Sequence, residues 1–388
     1  MGRLGNMGLF DRSLFGVSRR GLLGTLGTVV AAPRLLFGGA AHADDHARDL
    51  HACDLMETEW VGTAGVGEGF APVLLSPDME ATPVGPAGQR LHWVEPGPDG
   101  RTAIAVARRP GTTAIVFDRR SGTVLARFEP GEGRVFSGHG RFIEDGRRFL
   151  AVEIERSSGQ GVVTRRVPEA GFAIEAEWAS SGIGPHDLLP VGGTLIVANG
   201  GVEPHTPQAV GAEIAGASVA LLDPMSGATR AVAALGDDLE SLSLRHLASA
   251  PDGFTVIAAQ DLLADGIARP LLYAVEGERL TAFDAPDAEW RGLRTYVGSV
   301  AFDASGAYVA AASPRGNRVA VWRRDGRFIG ALTLVDGCGL APTRQAGQFL
   351  ATSGLGEIAL LATDGDSLGV RARVKKDLRF DNHAALAL

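Results

Sequence analysis

From about residue 90 to the C-terminus, short apolar runs alternate with polar turns on one repeating plan. Gly138–Glu153 states it most clearly: a short strand led by His139, a tight turn at Asp145-Gly146, and a second strand from Phe149 to Val152. An Asp-Gly pair between apolar runs is a strong hairpin signal. The phrase returns at Leu91–Ala105 (with one extra residue), Pro185–Ala198 and Arg245–Ala258. Looser copies follow at Val297–Asp303 with Tyr308–Ala312, at Gly337–Pro342 with Phe349–Thr352, and at Asp381–Leu386. Behind these hairpins lie further strand signals, among them Thr113–Phe117, Val124–Phe128, Ser218–Leu222, Asn317–Trp322 and Phe328–Leu332.

A unit of four strands recurring at about 40–50 residues is the mark of a β-propeller blade. Seven units predict an all-β, seven-bladed propeller over residues 58–388. The last unit has room for one strand only, whereas Glu59–Ala64, Ala71–Leu75 and Glu80–Val84 are spare at the other end. The prediction is a closing blade with the C-terminal strand innermost and the N-terminal strands outside it, which leaves no open sheet edge at the seam. A two-sheet sandwich is the alternative, and it does not account for seven copies of one phrase.

A propeller gives the head of each copy a meaning, because the first strands line the central channel. The column reads His92, His139, His186, His246, Ser299, Cys338 and His383, at spacings of 47, 47, 60, 53, 39 and 45 residues. One histidine at a strand start is ordinarily a hydrogen-bonded packing residue. Five at one level of a channel are a different matter: repulsion holds them neutral, and neutral imidazoles suit iron, copper, zinc and nickel. Cys338 is a softer sixth ligand if ionised. The competing reading is a water-filled polar plug. A second layer is expected from Ser299 and from residues where the second strands end, Glu153, Asn199 and Gln260, with His205 on the long loop of the third unit. Arg108, Ser313 and Ser353 hold the same strand-end positions and read as ordinary polar groups.

The 53 glycines and 45% hydrophobic residues suit short strands and turns, and no long helical period follows residue 50. Residues 1–43 read as a twin-arginine signal peptide: Ser18-Arg19-Arg20-Gly21-Leu22-Leu23, an apolar run too short to span a bilayer, and Ala41-His42-Ala43 as cleavage site. Residues 44–57 form a lead-in. The expected location is the periplasm, without a stable membrane anchor. Loss of residues 1–43 takes five arginines and one aspartate and moves the net charge from −8 to −12, which argues against nucleic acid as a partner. The expected state is a monomer. A Cys53–Cys338 disulfide is permitted by that compartment, but a chain of this size does not need it. No nucleophile elbow, zinc-protease helix or phosphate loop is present.

Several blocks, including S-G-H-G-R-F-I-E-D-G-R, G-I-G-P-H-D-L, V-A-N-G-G-V-E-P-H, S-L-R-H-L-A, Y-V-G-S-V-A-F-D, S-P-R-G-N-R-V and the closing F-D-N-H, resemble the signatures of the bacterial domain-of-unknown-function family 1513. The resemblance runs from about Arg90 to Leu388. It implies an exported seven-bladed propeller often encoded beside imelysin-type proteins and a di-haem oxidoreductase, hence periplasmic iron handling with those proteins as partners. Glu153-Ile154-Glu155 departs from the acidic-Asn pair expected there. Three functions stay open: binding of a transition metal (iron or copper) or an iron-containing ligand through His92, His139, His186, His246, His383 and Cys338 in metal acquisition; a non-catalytic scaffold with an acidic rim; and a lactonase- or dehydrogenase-like enzyme with Glu153, Asn199 and His246 around a divalent ion.

Overall fold

The computed structural model describes residues 59–202, 216–263 and 265–387. The expected signal peptide, the lead-in and His205 lie outside the described residues. Seven four-stranded antiparallel sheets are present. Six are built from consecutive strands and begin with Leu91–Pro96, Arg134–Ile143, Pro185–Val191, Leu242–Ser249, Ser299–Phe302 and Gly337–Pro342. These are blades one to six. In the seventh, Arg379–Leu386 pairs with Trp60–Val66, followed by Gly69–Leu75 and Ala81–Pro83. The seven inner strands touch one another in cyclic order, from Leu91–Pro96 round to Arg379–Leu386 and back. The chain is a seven-bladed β-propeller.

The burial of each strand follows its place in the blade. Second strands such as Thr102–Ala107, Thr194–Asn199 and Tyr308–Ser313 are almost wholly buried. They are flanked by blades on both faces, so their sequences run continuously apolar rather than alternating. Their many alanines let neighbouring sheets approach closely. Outer strands alternate buried and exposed positions, as Ala173–Ile183 does. Its Glu175 pairs with Arg148 of the second strand at 2.6 Å.

One short helix, Asp287–Gly292, precedes blade five and was not expected from the sequence. Six residues are too few to show a helical period. Its Trp290 stacks on Trp322 at 5.4 Å between ring centroids, and Trp322 Nε1 donates to Asp284 O at 2.9 Å.

Aspartates set the turns. Asp118 Oδ1 accepts from the backbone N–H groups of Arg120 and Ser121 at 2.8 and 2.9 Å. Asp223 does the same for Met225 and Ser226. Burial alone would raise the Asp118 carboxyl, but the Ser121 N–H, the Arg101 guanidinium and the Arg120 N–H outweigh it and hold it down at about 2. A depressed carboxyl stabilises the fold above its ordinary range, near pH ~4, and loses that effect as pH falls toward ~2. We expect Asp118→Asn to lose about 1–2 kcal/mol near neutrality. The deficit against wild type should shrink on acidification from about pH 5 to about pH 2, as read from urea midpoints.

Candidate metal centre

The inner strands deliver their histidines through irregularities in the ladder. Pairing skips between Leu91 and Trp93, leaving His92 as the extra residue; between Pro185 and Asp187, leaving His186; and between Phe136 and Gly140, around His139. In the closing blade Gly62 pairs with Ala384 and Ala64 with Phe380, so Asp381-Asn382-His383 bulges out. In blade four the extra residue is Arg245, and His246 pairs with Ala258. A bulge bends its strand and re-aims a side chain, here toward the axis. His139, His246 and His383 therefore sit well inside their strands rather than at the head. Gly138, at φ +118°, is needed beside His92: a Cβ there would stand 2.7 Å from His92 Cδ2.

All five imidazoles converge. Ring centroids lie 4.9 Å apart for His92–His139, 4.5 Å for His92–His383, 4.6 Å for His186–His246 and 4.8 Å for His246–His383. One nitrogen from each of His92, His139, His246 and His383 falls within 4.8 Å of the other three. Their Nε2 atoms, and that of His186, are buried without a hydrogen-bond partner. Burial holds each imidazole below its ordinary pKa, and neighbouring imidazoles deepen the effect for His92, His186, His246 and His383. In His139 burial outweighs the opposing pull of Asp187. The cluster is neutral near pH ~7.

Outer partners set which nitrogen faces inward. His92 Nδ1 lies 3.3 Å from Asp381 Oδ1, which also accepts from Arg108 Nη1 at 3.2 Å and is paired with Arg90. His139 Nδ1 lies 3.1 Å from Asp187 Oδ1, an electrostatic contact out of line for a hydrogen bond. Asp187 further accepts from Arg141 Nη2 at 3.3 Å and from the N–H groups of Leu188 and Leu247. Ser299 Oγ is 3.5 Å from His383 Nδ1. A carboxylate at Nδ1 keeps the proton there and leaves Nε2 with its lone pair, the arrangement of metal-ligating histidines. His186 is different. Arg245 Nη1 is 3.4 Å from its Nδ1, and a guanidinium only donates. In the neutral ring the proton is then on Nε2, which has no lone pair to offer.

A cavity of about 450 Å³ lies against the centre, bounded by Trp93, Glu95, Arg141, Asp187, His246 and His383 among others. Trp93 stacks on His139 at 5.6 Å, and the Arg141 guanidinium lies 3.8 Å over its ring.

The predicted residues divide. His92, His139, His246 and His383 come together, with Ser299 behind His383; His186 joins the ring but not the four-nitrogen group. Cys338 is a correction: it packs in the apolar cluster with Trp60, Val73, Leu350 and Ile358, and its Sγ donates to Phe380 O at 3.3 Å. Burial, followed by the charges of Asp381 and Asp336, pushes its thiol up, so no thiolate is available. Glu153 is likewise committed elsewhere, to Arg166 Nη2 at 2.6 Å and Thr164 Oγ1 at 2.8 Å. Asn199 bonds Ser180 through both ends of its amide, and Gln260 donates to Val297 O at 3.5 Å. Glu153 and Asn199 thus do not share an ion with His246. Asp187, Asp381, Arg141, Arg245 and Trp93 were missed. An aspartate within two residues of a ring histidine, in Pro185-His186-Asp187 and Asp381-Asn382-His383, was the available signal.

The chain belongs to the family described as Protein of unknown function (DUF1513), whose model matches residues 85–387. No curated protein matches the sequence. Among solved structures it is similar to the periplasmic gluconolactonase of Pseudomonas aeruginosa, at 17% identity and a TM-score of 0.54, covering 83% of this chain and 99% of that one. It is also similar to a chain of the mitotic checkpoint complex, at 13% identity and a TM-score of 0.56, covering 76% and 83%. At these identities the likeness is one of fold alone.

Asp187→Ala removes the acceptor for three donors and leaves Glu95 as the one carboxylate beside buried Arg141. The expected loss is about 3–5 kcal/mol, the cost of breaking a buried ion pair from one side. Urea denaturation of the variant against wild type measures it.

Proposed function

We propose that His92, His139, His246 and His383 bind a transition metal ion, iron or copper, and that the protein serves metal acquisition in the periplasm. One observation carries this: four buried, neutral imidazoles, each with a partnerless Nε2, bring one nitrogen apiece within 4.8 Å of the others. Unpaired polar atoms in an apolar body are unfavourable unless something binds them. With the Cys338 thiol protonated and turned into the core, the donor set is all imidazole nitrogen, which suits iron, copper, nickel and zinc.

The spacing also fits. Bonds of about 2.0–2.1 Å place the nitrogens of a tetrahedral centre about 3.4 Å apart, so a set within 4.8 Å closes on the ion by small side-chain rotations. Asp381 and Asp187 would hold His92 and His139 in the ligating tautomer, and the cavity beside His246 and His383 would be the route of entry. Iron as the cargo, and imelysin-type proteins or a di-haem oxidoreductase as partners, are supported by the family resemblance. No helix among the described residues is long and apolar enough to cross a membrane.

Metal analysis of untagged protein, followed by titration with Fe²⁺, Cu²⁺ and Co²⁺, tests the reading. The expected result is about one equivalent bound, lost in His92→Ala/His246→Ala and weakened about 10–100-fold in Asp381→Ala. Traces of metal as purified, with no uptake on titration, would overturn it. Removing the ion with a chelator should also lower the unfolding midpoint. At a free metal concentration about 1,000 times the dissociation constant, the linked stabilisation is about 4 kcal/mol.

A further inference from the structure

Beside the histidine ring stands a second set of unpaired donors. Arg245 is fully buried, and of its three guanidinium nitrogens only Nη1 has a partner, His186 Nδ1. Nε and Nη2 have none. These two N–H groups share one edge of the guanidinium plane and point the same way. That edge takes both oxygens of a carboxylate at once. A charged group buried with its best donor edge bare is unfavourable in a core that elsewhere pairs its arginines.

The surroundings favour an anion there. Arg109 and Arg108 add positive charge next to Arg245; burial first, and these two guanidiniums with it, bring the Arg245 pKa down to about 9. Arg108 is committed to Asp381 and to the Tyr296 hydroxyl, and Arg109 Nη1 donates to Val202 O at 3.4 Å. Around the ring, Arg108, Arg109, Arg141 and Arg245 face Asp187, Asp381 and Glu95. A metal ion would enlarge that positive excess, and a bound anion would offset it. Gly200 lies against this edge, where a Cβ would stand 3.3 Å from Nε.

A group of arginines lies near Tyr296, in a chain whose net charge is −8. A cavity of about 670 Å³ is bounded by Arg269, Arg291, Arg294 and Arg315 among others. The Arg315 guanidinium lies 4.6 Å over the ring of Tyr296, the same phenol that Arg108 reaches. Asp261 in the same lining pairs with Arg269 at 2.9 Å, and the remaining positive excess draws anions.

We propose that the Nε/Nη2 edge of Arg245, with Arg108 and Arg109 beside it, is a binding site for a small planar oxyanion of the carboxylate class. The site does not require that the four histidine nitrogens hold metal.

Chelator-treated wild-type protein titrated with acetate, against chloride at equal ionic strength, provides the test. Acetate should raise the thermal midpoint saturably while chloride does not. Arg245→Gln should weaken acetate binding at least tenfold and Arg109→Gln by a smaller factor. Cobalt uptake by the same Arg245→Gln protein reports on the histidine centre separately, so one proposal can fail without the other. An unchanged acetate response in Arg245→Gln, or none in wild type, overturns the site. Should that variant not fold, a wild-type crystal soaked in acetate decides by difference density: acetate on the Arg245 edge supports the site, and none there removes it.

Discussion

Imidazole nitrogens held away from water without partners are the constraint on which the centre of this molecule depends. A propeller axis filled with leucine or valine would be more stable than one filled with histidine, because apolar groups lose nothing on leaving water. Here five blades send an imidazole to the axis, and five Nε2 atoms end there unpaired. Repulsion and burial both keep the rings neutral, which avoids buried charge but leaves ring nitrogens without partners, His186 excepted in carrying its proton inward. Such an arrangement is unfavourable by itself and becomes favourable when a cation shares the nitrogen lone pairs. The folded body and its ligand set are in this sense a single problem.

The blades solve it together rather than separately. Asp187 of blade three reaches back to His139 of blade two, and Asp381 of blade seven reaches forward to His92 of blade one. Ser137 of blade two donates to the backbone carbonyl of His186 in blade three at 3.1 Å. Each ring histidine fixed by a carboxylate is thus oriented by its neighbour's inner strand. Closure of the ring sets both the positions of the nitrogens and their tautomers. A local unit lifted out of the propeller would keep its histidine and lose the group that aims it.

The blade count and the convergence of the histidines were legible because both follow from period. A strand phrase that recurs seven times fixes which residues share a level, and shape needs no more. What the period hides is the bulge. Cys338 occupies the extra position of its strand just as His92 and His186 do, yet its side chain meets Phe380 O and an apolar cluster. In blade four the extra residue is Arg245, with the histidine one place on. Equivalence by alignment therefore does not guarantee equivalence in direction, since one inserted residue turns a side chain to the other face. The aspartates were hidden for another reason: each serves a histidine of a different blade, a pairing that no local motif records.

His186 shows why five aligned histidines give four nitrogens that could share one ion. Its Nδ1 accepts from Arg245, so its proton is on Nε2, toward the ring. One imidazole thus has its outer face on the guanidinium and its inner face on the other histidines. An anion on the free edge of Arg245 would draw density from the Nη1 donor and change how firmly it holds Nδ1. A cation among the four nitrogens would make the Nε2–H of His186 a neighbour of positive charge, and so favour negative charge on the arginine side. Coupling of this kind is reciprocal by thermodynamic necessity: whatever occupancy at one site does to the other's affinity, the converse holds by the same factor. Were both proposed sites filled, the fifth histidine, the one that sequence counting would enlist as a ligand, would be the contact between them.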